Sequence, residues 1–453
     1  MEPPCPVLRY PDLANTGDRS GFERELAAAF RAHGVVVVSG VIPDAECDQA
    51  MDDIVRSFER LSPALNRHLP QTWTRENTPP QTRTGLYQAV VGNFARVWGI
   101  RADPRVRHLF TALYTALGRT RATDLVVSGD GINIQPNARG PYHHERGGED
   151  WAHLDQTNGD IFRCIQGQVV LTDTTACFRA SPGSQRAYTD ILDATGGRGP
   201  GDWRKFAKED YGTLRALVER RGGLWQVPIL APRGSVILWA SSVVHSAKRS
   251  DGPLPHDPAS PWKGWRGVVY VCYRPRAEFT PRQLEKRWRA FKENRVTNHW
   301  GTKVFPVNPC ARYGPPPAGL SFAGGNYVTS PRDVYALLGR PRLDRDARRL
   351  AGHSSEASSE ESSEESSEEP PGDGACSAPL TDADVDELLA GAGVGVPLVD
   401  ADIDGLLTDA DIDGLLADAG TDGLLADAGT SGPLADAGTS GAPADHLPGE
   451  PLR

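Results

Sequence analysis

The stretch from Gly234 to His245 reads GSVILWASSVVH, and the stretch from Arg266 to Tyr273 reads RGVVYVCY. Each is a short apolar run, rich in β-branched residues and bounded by glycine, proline or serine, which is the pattern of a buried strand. Working outward, FRCIQGQVVLT (162–172), GINIQ (131–135) and LVVSG (125–129) have the same character. Many short strands separated by turn residues predict a sandwich or jelly roll rather than alternating βαβ units.

Helical signals flank these strands on both sides. Phe22, Leu26, Ala29 and Phe30 share one helical face that ends at Gly34, and Val35 to Val38 follows as a buried strand. A second helix, with Asp44 as N-cap, carries Cys47, Met51, Ile54, Phe58 and Leu61 on one stripe. Asp103, Pro104 and Gly118 bracket a third, with Val106, Leu109, Phe110, Leu113 and Leu117 between them. Thr280, Pro281 and Gln283 form a capping box before Leu284, Trp288 and Phe291, and Ser330 with Pro331 opens a short helix closed by Gly339. The Gly-rich segment TGGRGPGD (195–202) follows no strand and opens no phosphate-binding helix, so it reads as a loop. The expected fold is mainly β with flanking helices (α+β), and all ten Trp lie in residues 1–345, taken as one domain.

Charge divides the chain more sharply than length does. The whole has 453 residues and a net charge of -10, but residues 351–453 hold 24 acidic residues against Arg453 alone. Residues 1–350 therefore keep 48 basic residues against 35 acidic ones. Residues 346–453 carry SSEASSEESSEESSEE from Ser354 and continue in Asp/Gly/Leu repeats, a composition that predicts a disordered acidic tail. Seven scattered cysteines without a C-x-x-C argue against a disulfide framework and a structural zinc site, so cytoplasm or nucleus is the expected compartment. No apolar run is long enough to span a membrane, and the N-terminus has no secretory pattern.

The chemistry is expected around the segment WAHLDQ. In a strand, His153 and Asp155 project to one face with Leu154 on the other, which suits two adjacent ligands of one metal. The H-x-D pair alone is unspecific, and it gains weight from two residues further along the chain. His245 ends an apolar run, and Arg266 opens the next strand, sharing its face with Val268 and Tyr270. Two imidazoles and one carboxylate leave three positions on Fe(II), enough for a bidentate 2-oxo acid and dioxygen. An arginine one strand later offers a planar, always charged fork to the distal carboxylate of that acid.

With His153-Leu-Asp155-Gln, the set Pro182-Gly183-Ser184-Gln185-Arg186, Gly234 to Trp239 before His245, Arg266 to Pro275, Asn298-His299-Trp300 and Pro309 to Gly314 resembles the phytanoyl-CoA dioxygenase-like branch of the Fe(II)/2-oxoglutarate oxygenases. The resemblance covers about residues 20–317. It implies a double-stranded β-helix (jelly roll) core, His153, Asp155 and His245 as iron ligands, and Arg266 on 2-oxoglutarate, with Gln135 and Gln168 as further cosubstrate contacts. It also implies hydroxylation of a small molecule with release of succinate and CO2, with ascorbate as an accompanying reductant. Asp155, being a carboxylate, points to hydroxylation rather than halogenation. Two departures stand out: Gln185 occupies a position that is His in the family, and 21 residues separate His245 from Arg266, which leaves Arg249 as a rival for the carboxylate. These departures motivate an alternative, a catalytically silent oxygenase fold that acts as a binding protein through its acidic tail.

Several weaker signals remain. His143, His144 and Glu145 are expected in a loop near the pocket mouth, since neighbours on a strand face opposite ways. Arg274 to Arg276, Lys286 to Arg289 and Arg340 to Arg345 are basic and suit an anionic substrate, with nucleic acid as a lesser expectation. In the tail, Asp400 to Asp411 has calcium-loop spacing without flanking helices, and Asp384 to Leu389 resembles a dileucine signal. Ser358, Ser362 and Ser366 suit an acidophilic kinase, and the tail is an expected site for a protein partner.

Overall fold

The apolar runs form strands with one correction: Gly234 to His245 is not a single strand but breaks after Ala240, so that Val236–Ala240 joins one sheet and His245 opens a strand of another. The computed structural model describes residues 3–12, 16–74, 77–79, 85–88, 91–119, 121–137, 151–199, 203–304, 334–335 and 338–354. Along the chain come β1 (Val7–Arg9), α1 (Thr16–His33), β2 (Val35–Ser39), α2 (Asp44–Leu61), β3 (Leu86–Tyr87), α3 (Ala95–Ala102) and α4 (Pro104–Ala116). They are followed by β4 (Leu125–Val127), β5 (Ile132–Gln135), β6 (His153–Leu154), β7 (Ile165–Val170), β8 (Phe178–Ala180), α5 (Tyr188–Ala194), β9 (Arg204–Lys205) and α6 (Tyr211–Arg220). The last are β10 (Val227–Ile229), β11 (Val236–Ala240), β12 (His245–Ala247), β13 (Arg266–Pro275), α7 (Pro281–Lys292) and α8 (Arg345–Ala351).

Two sheets result, making a mixed α+β fold. The larger runs β1-β2-β11-β7-β13-β5-β3, with β4 also paired to β13, and the smaller runs β10-β8-β12-β6-β9. Among the described residues, every strand pair apart from the parallel β1–β2 pair is antiparallel. β7 and β11 are buried along their whole length, Gln166 and Gln168 of β7 included. Phe178 and Ala180 of the smaller sheet pack in one core with Trp239 and Val268 of the larger.

Helix ends follow the local chemistry with one exception. Asp103 accepts from the Arg105 N–H, and the Thr280–Gln283 box is formed in both directions. Asp44 is the first helical residue rather than the cap; Pro43 takes the cap position, and the Asp44 carboxylate pairs with Arg233 at 3.0 Å.

The domain boundary drawn at residue 345 falls on an ordered helix. In α8, Ala347, Leu350 and Ala351 are buried, and Asp344 accepts from the Ala347 N–H at 2.7 Å. Arg276 donates to the carbonyls of Arg349 and His353 at 2.8 and 2.7 Å, closing the helix end. Chain contacts divide the protein into Met1–Ala383 and Asp384–Arg453. The tail repeats, the serine cluster, His143 to Glu145, Pro309 to Gly314 and the Ser330–Pro331 helix start lie outside the described residues. Among the described residues, no helix is long and apolar enough to cross a membrane.

Candidate metal centre

The smaller sheet brings the three expected ligands together. His245 opens β12 directly opposite His153 in β6, and their rings lie 4.1 Å apart. β6 is only two residues long, so Asp155 lies just past its end, held by its own N–H to the Ser241 carbonyl at 3.1 Å. One Asp155 oxygen is 3.5 Å from His153 Nε2 and the other 3.1 Å from His245 Nε2. One ligand atom from each residue falls within 4.8 Å of the others, and all three residues are buried.

Backbone carbonyls fix both imidazoles. His153 Nδ1 donates to the Trp151 carbonyl at 3.1 Å, and His245 Nδ1 donates to the Val243 carbonyl at 2.9 Å. With the proton on Nδ1, each Nε2 lone pair faces the shared centre, the orientation metal-ligating histidines adopt. Burial alone raises the Asp155 carboxyl, but the imidazoles of His299, His153 and His245 outweigh it and hold the group well below the usual carboxylate range. Two nitrogens and one anionic oxygen fit a divalent transition metal with open positions, Fe(II) among them.

Register shows which side chains share the centre's surroundings. Residues directly opposite in an antiparallel pair face the same way, and β7 pairs Gln166 with Trp239 and Cys272, and Gln168 with Tyr270. Gln166 Nε2 donates to Asp155 Oδ2 at 2.8 Å, so this face of β7 looks toward the centre. Trp239 and Phe178 lie 5.5 Å, centroid to centroid, from His245, and Trp151 stacks on His153 at 4.3 Å.

Arg266 starts β13 on that same face, opposite Gln135. It is buried, donates through Nη1 to the Ala176 carbonyl at 2.7 Å, and its Nε has no partner among the described residues. No described carboxylate pairs with it, and a buried guanidinium without an anion is costly. Gln168 is buried with an unpartnered Oε1, while Gln135 donates to Asn133 Oδ1 at 2.9 Å. The rival Arg249 is half-buried in the turn after β12, next to the Lys248–Asp251 pair.

Gln185 has a role away from the metal ligands. Its amide donates to the Ala32 carbonyl at 3.2 Å, and the Gly183 N–H donates to the His33 carbonyl at 2.7 Å, so this segment caps the end of α1. The preceding Ser184 accepts from the Val244 N–H at 3.0 Å, which steadies the residue before His245.

Three contributors went unread as site residues in the sequence: Gln166, Trp300 and His299. Trp300 Nε1 donates to the Asp155 carbonyl at 2.9 Å, and His299 Nε2 lies 3.9 Å from Asp155 Oδ1. The Asn298-His299-Trp300 motif was the available signal for two of them.

The family model for Phytanoyl-CoA dioxygenase (PhyH) matches residues 30–253, a stretch that holds His153, Asp155, His245, Gln135 and Gln168 and ends before Arg266. Among characterised proteins, the chain is similar to Ava biosynthesis cluster protein O of Aspergillus versicolor, 22% identical over 294 residues, which cover 61% of this chain and 86% of that one. Among solved structures, it resembles a putative oxidoreductase from Salmonella typhimurium LT2, with a TM-score of 0.48, 13% identity and coverage of 78% and 87%. It also resembles the epimerase SnoN in complex with Fe3+, alpha ketoglutarate and nogalamycin RO, with a TM-score of 0.36, 15% identity and coverage of 56% and 84%.

Proposed function

Because residues 30–253 belong to the phytanoyl-CoA dioxygenase family, we propose that the chain is an Fe(II)- and 2-oxoglutarate-dependent dioxygenase that hydroxylates a small molecule and releases succinate and CO2. The two sheets would then be the two walls of a double-stranded β-helix. The observation that carries this reading is the buried convergence of His153, Asp155 and His245, with both imidazoles turned Nε2-inward by backbone carbonyls.

In this reading His153, Asp155 and His245 hold the iron. Arg266 binds the distal carboxylate of 2-oxoglutarate, and Gln168 and Gln135 offer further polar contacts. Bound iron and 2-oxoglutarate supply the oxidising chemistry, in which loss of CO2 from the acid is coupled to oxidation of a substrate C–H bond. The protein's part is geometric. Gln166 and Trp300 fix the Asp155 carboxylate and backbone, while Trp239 and Phe178 wall His245 with apolar surface that excludes water. Retention of a carboxylate at Asp155 supports hydroxylation rather than halogenation. The cap that Gln185 forms on α1 supports the active reading over a silent fold, since the departure at this position serves the scaffold.

Anaerobic loading of the full chain with Fe(II) tests the site directly. About one iron per chain is expected, with the stoichiometry collapsing in Asp155→Ala; retention of iron by that variant would overturn the assignment.

A further inference from the structure

Two thiols meet beside Trp300. Cys164, just before β7, and Cys272, in β13, are buried with their sulfurs 3.3 Å apart. The pair forms one apolar cluster with Trp300, the residue that holds the Asp155 carbonyl, and Cys272 is the cross-strand neighbour of Gln166, which holds the Asp155 carboxylate. The Arg274 guanidinium lies 5.2 Å from the Trp300 ring and that of Arg163 4.9 Å.

The other buried thiols behave differently. Burial pushes the Cys5 and Cys47 thiols up to about 12, which keeps them protonated and inert. Burial acts on Cys164 in the same direction, but the hydrogen bond from Cys272 and the nearby Arg274 and His299 bring it below the usual thiol value. Cys272 is pushed up by burial and by its bond to Cys164, so it remains the protonated partner. The pair therefore couples a nucleophilic sulfur to a resolving thiol already in contact with it.

We propose that Cys164 and Cys272 are a reversible dithiol–disulfide site oxidised by hydrogen peroxide. The Cys164 thiolate attacks one peroxide oxygen, the O–O bond breaks, and hydroxide leaves to take up the proton that Cys164 had released. The Cys272 sulfur then attacks the Cys164 sulfenic acid, and its own proton departs with the oxygen as a second water. Two electrons pass from the two sulfurs to peroxide, and two thiols plus one peroxide give one disulfide and two waters. Closing the bond shortens the sulfur separation from 3.3 Å to about 2.05 Å. In a close-packed cluster that movement reaches Trp300 and loosens its hold on Asp155. The disulfide chemistry stands apart from the oxygenase reading, because it needs neither iron nor 2-oxoglutarate.

The test uses the full metal-free chain, treated with hydrogen peroxide, then alkylated, digested without reductant and mapped by mass spectrometry. A Cys164–Cys272 linked peptide is expected as the main oxidised product, lost again on treatment with dithiothreitol. In Cys272→Ser, dimedone is expected to trap Cys164 as its sulfenic acid. Manganese(II) affinity of the wild type should fall several-fold on oxidation and recover on reduction. If both cysteines stay reduced while other cysteines of the chain oxidise, or Cys164 proceeds to sulfinic acid with no linked peptide, the proposal is overturned. Mapping of the wild type decides this even where the serine variant does not fold.

Discussion

The Trp300 indole N–H donates to the backbone carbonyl of Asp155 at 2.9 Å, across 145 residues of sequence. With the Gln166 amide on the Asp155 side chain, this bond ties the central carboxylate to two other parts of the chain. The candidate metal centre is thus held at its one acidic residue by both a side-chain and a backbone hydrogen bond.

Loss of that tether should weaken metal binding before it weakens the fold. Trp300→Phe keeps an aromatic ring beside Cys164 and Cys272, smaller than the indole, and removes the N–H donor. Its expected effect is a drop of about tenfold in Fe(II) affinity, at the lower end of what outer-shell partners contribute, measured by anaerobic titration. An unchanged affinity would reduce Trp300 to a packing residue.

Arg266 should govern the cosubstrate and leave the metal alone. Arg266→Lys keeps a charge but not the planar fork. Loss of one charge-assisted hydrogen bond costs about 1.5–3 kcal/mol, so 2-oxoglutarate affinity should fall by one to two orders of magnitude while iron stoichiometry holds. Calorimetric titration of 2-oxoglutarate into metal-loaded protein measures both. An equal loss in Arg249→Lys with none in Arg266→Lys would transfer the role to the rival.

Gln185 should matter to stability and not to iron. Gln185→Ala removes the amide that caps the Ala32 carbonyl and is expected to cost about 1 kcal/mol, seen as a lower Tm with unchanged metal binding. Gly34→Ala probes the same corner: Gly34 has φ of +68°, and an added Cβ would lie 2.6 Å from Gln185 Oε1 and 2.7 Å from Val243 Cγ2. A loss exceeding that of Gln185→Ala is expected on thermal melting.

Asp155 sets a pH dependence in the metal-free protein. Its carboxyl titrates lower in the folded chain than in the unfolded one, where the ordinary value is about 3.9. The unfolded state therefore binds the proton first, and stability from this group is complete above pH 4 and is lost as pH falls toward the depressed folded value. Between pH 4 and 2, metal-free wild type should lose stability more steeply than Asp155→Asn in urea titrations. Parallel curves would contradict the shift.

The β-branched runs made the central strands legible, and capping residues marked α4 and α7 to within a residue. Asp44 misled because a cap-type residue after Pro43 is equally suited to the first turn, where its charge pairs with Arg233. His153, Asp155 and His245 were readable because a two-residue spacing and the end of an apolar run are local features. Gln166 and Trp300 were not, since their roles depend on the β7–β11–β13 register and on a loop returning from 145 residues away. The helix α8 was hidden by its closeness to the acidic tail, whose composition masked seven residues that bury a small apolar face.

Oxygen-dependent succinate release from 2-oxoglutarate, after anaerobic reconstitution of the full chain with Fe(II), decides whether His153, Asp155 and His245 support oxygenase chemistry. The expected result is succinate formed in step with oxygen consumption by the wild type and absent from His153→Ala and Asp155→Ala. Succinate release no greater than in His153→Ala, with and without candidate substrates, would contradict it.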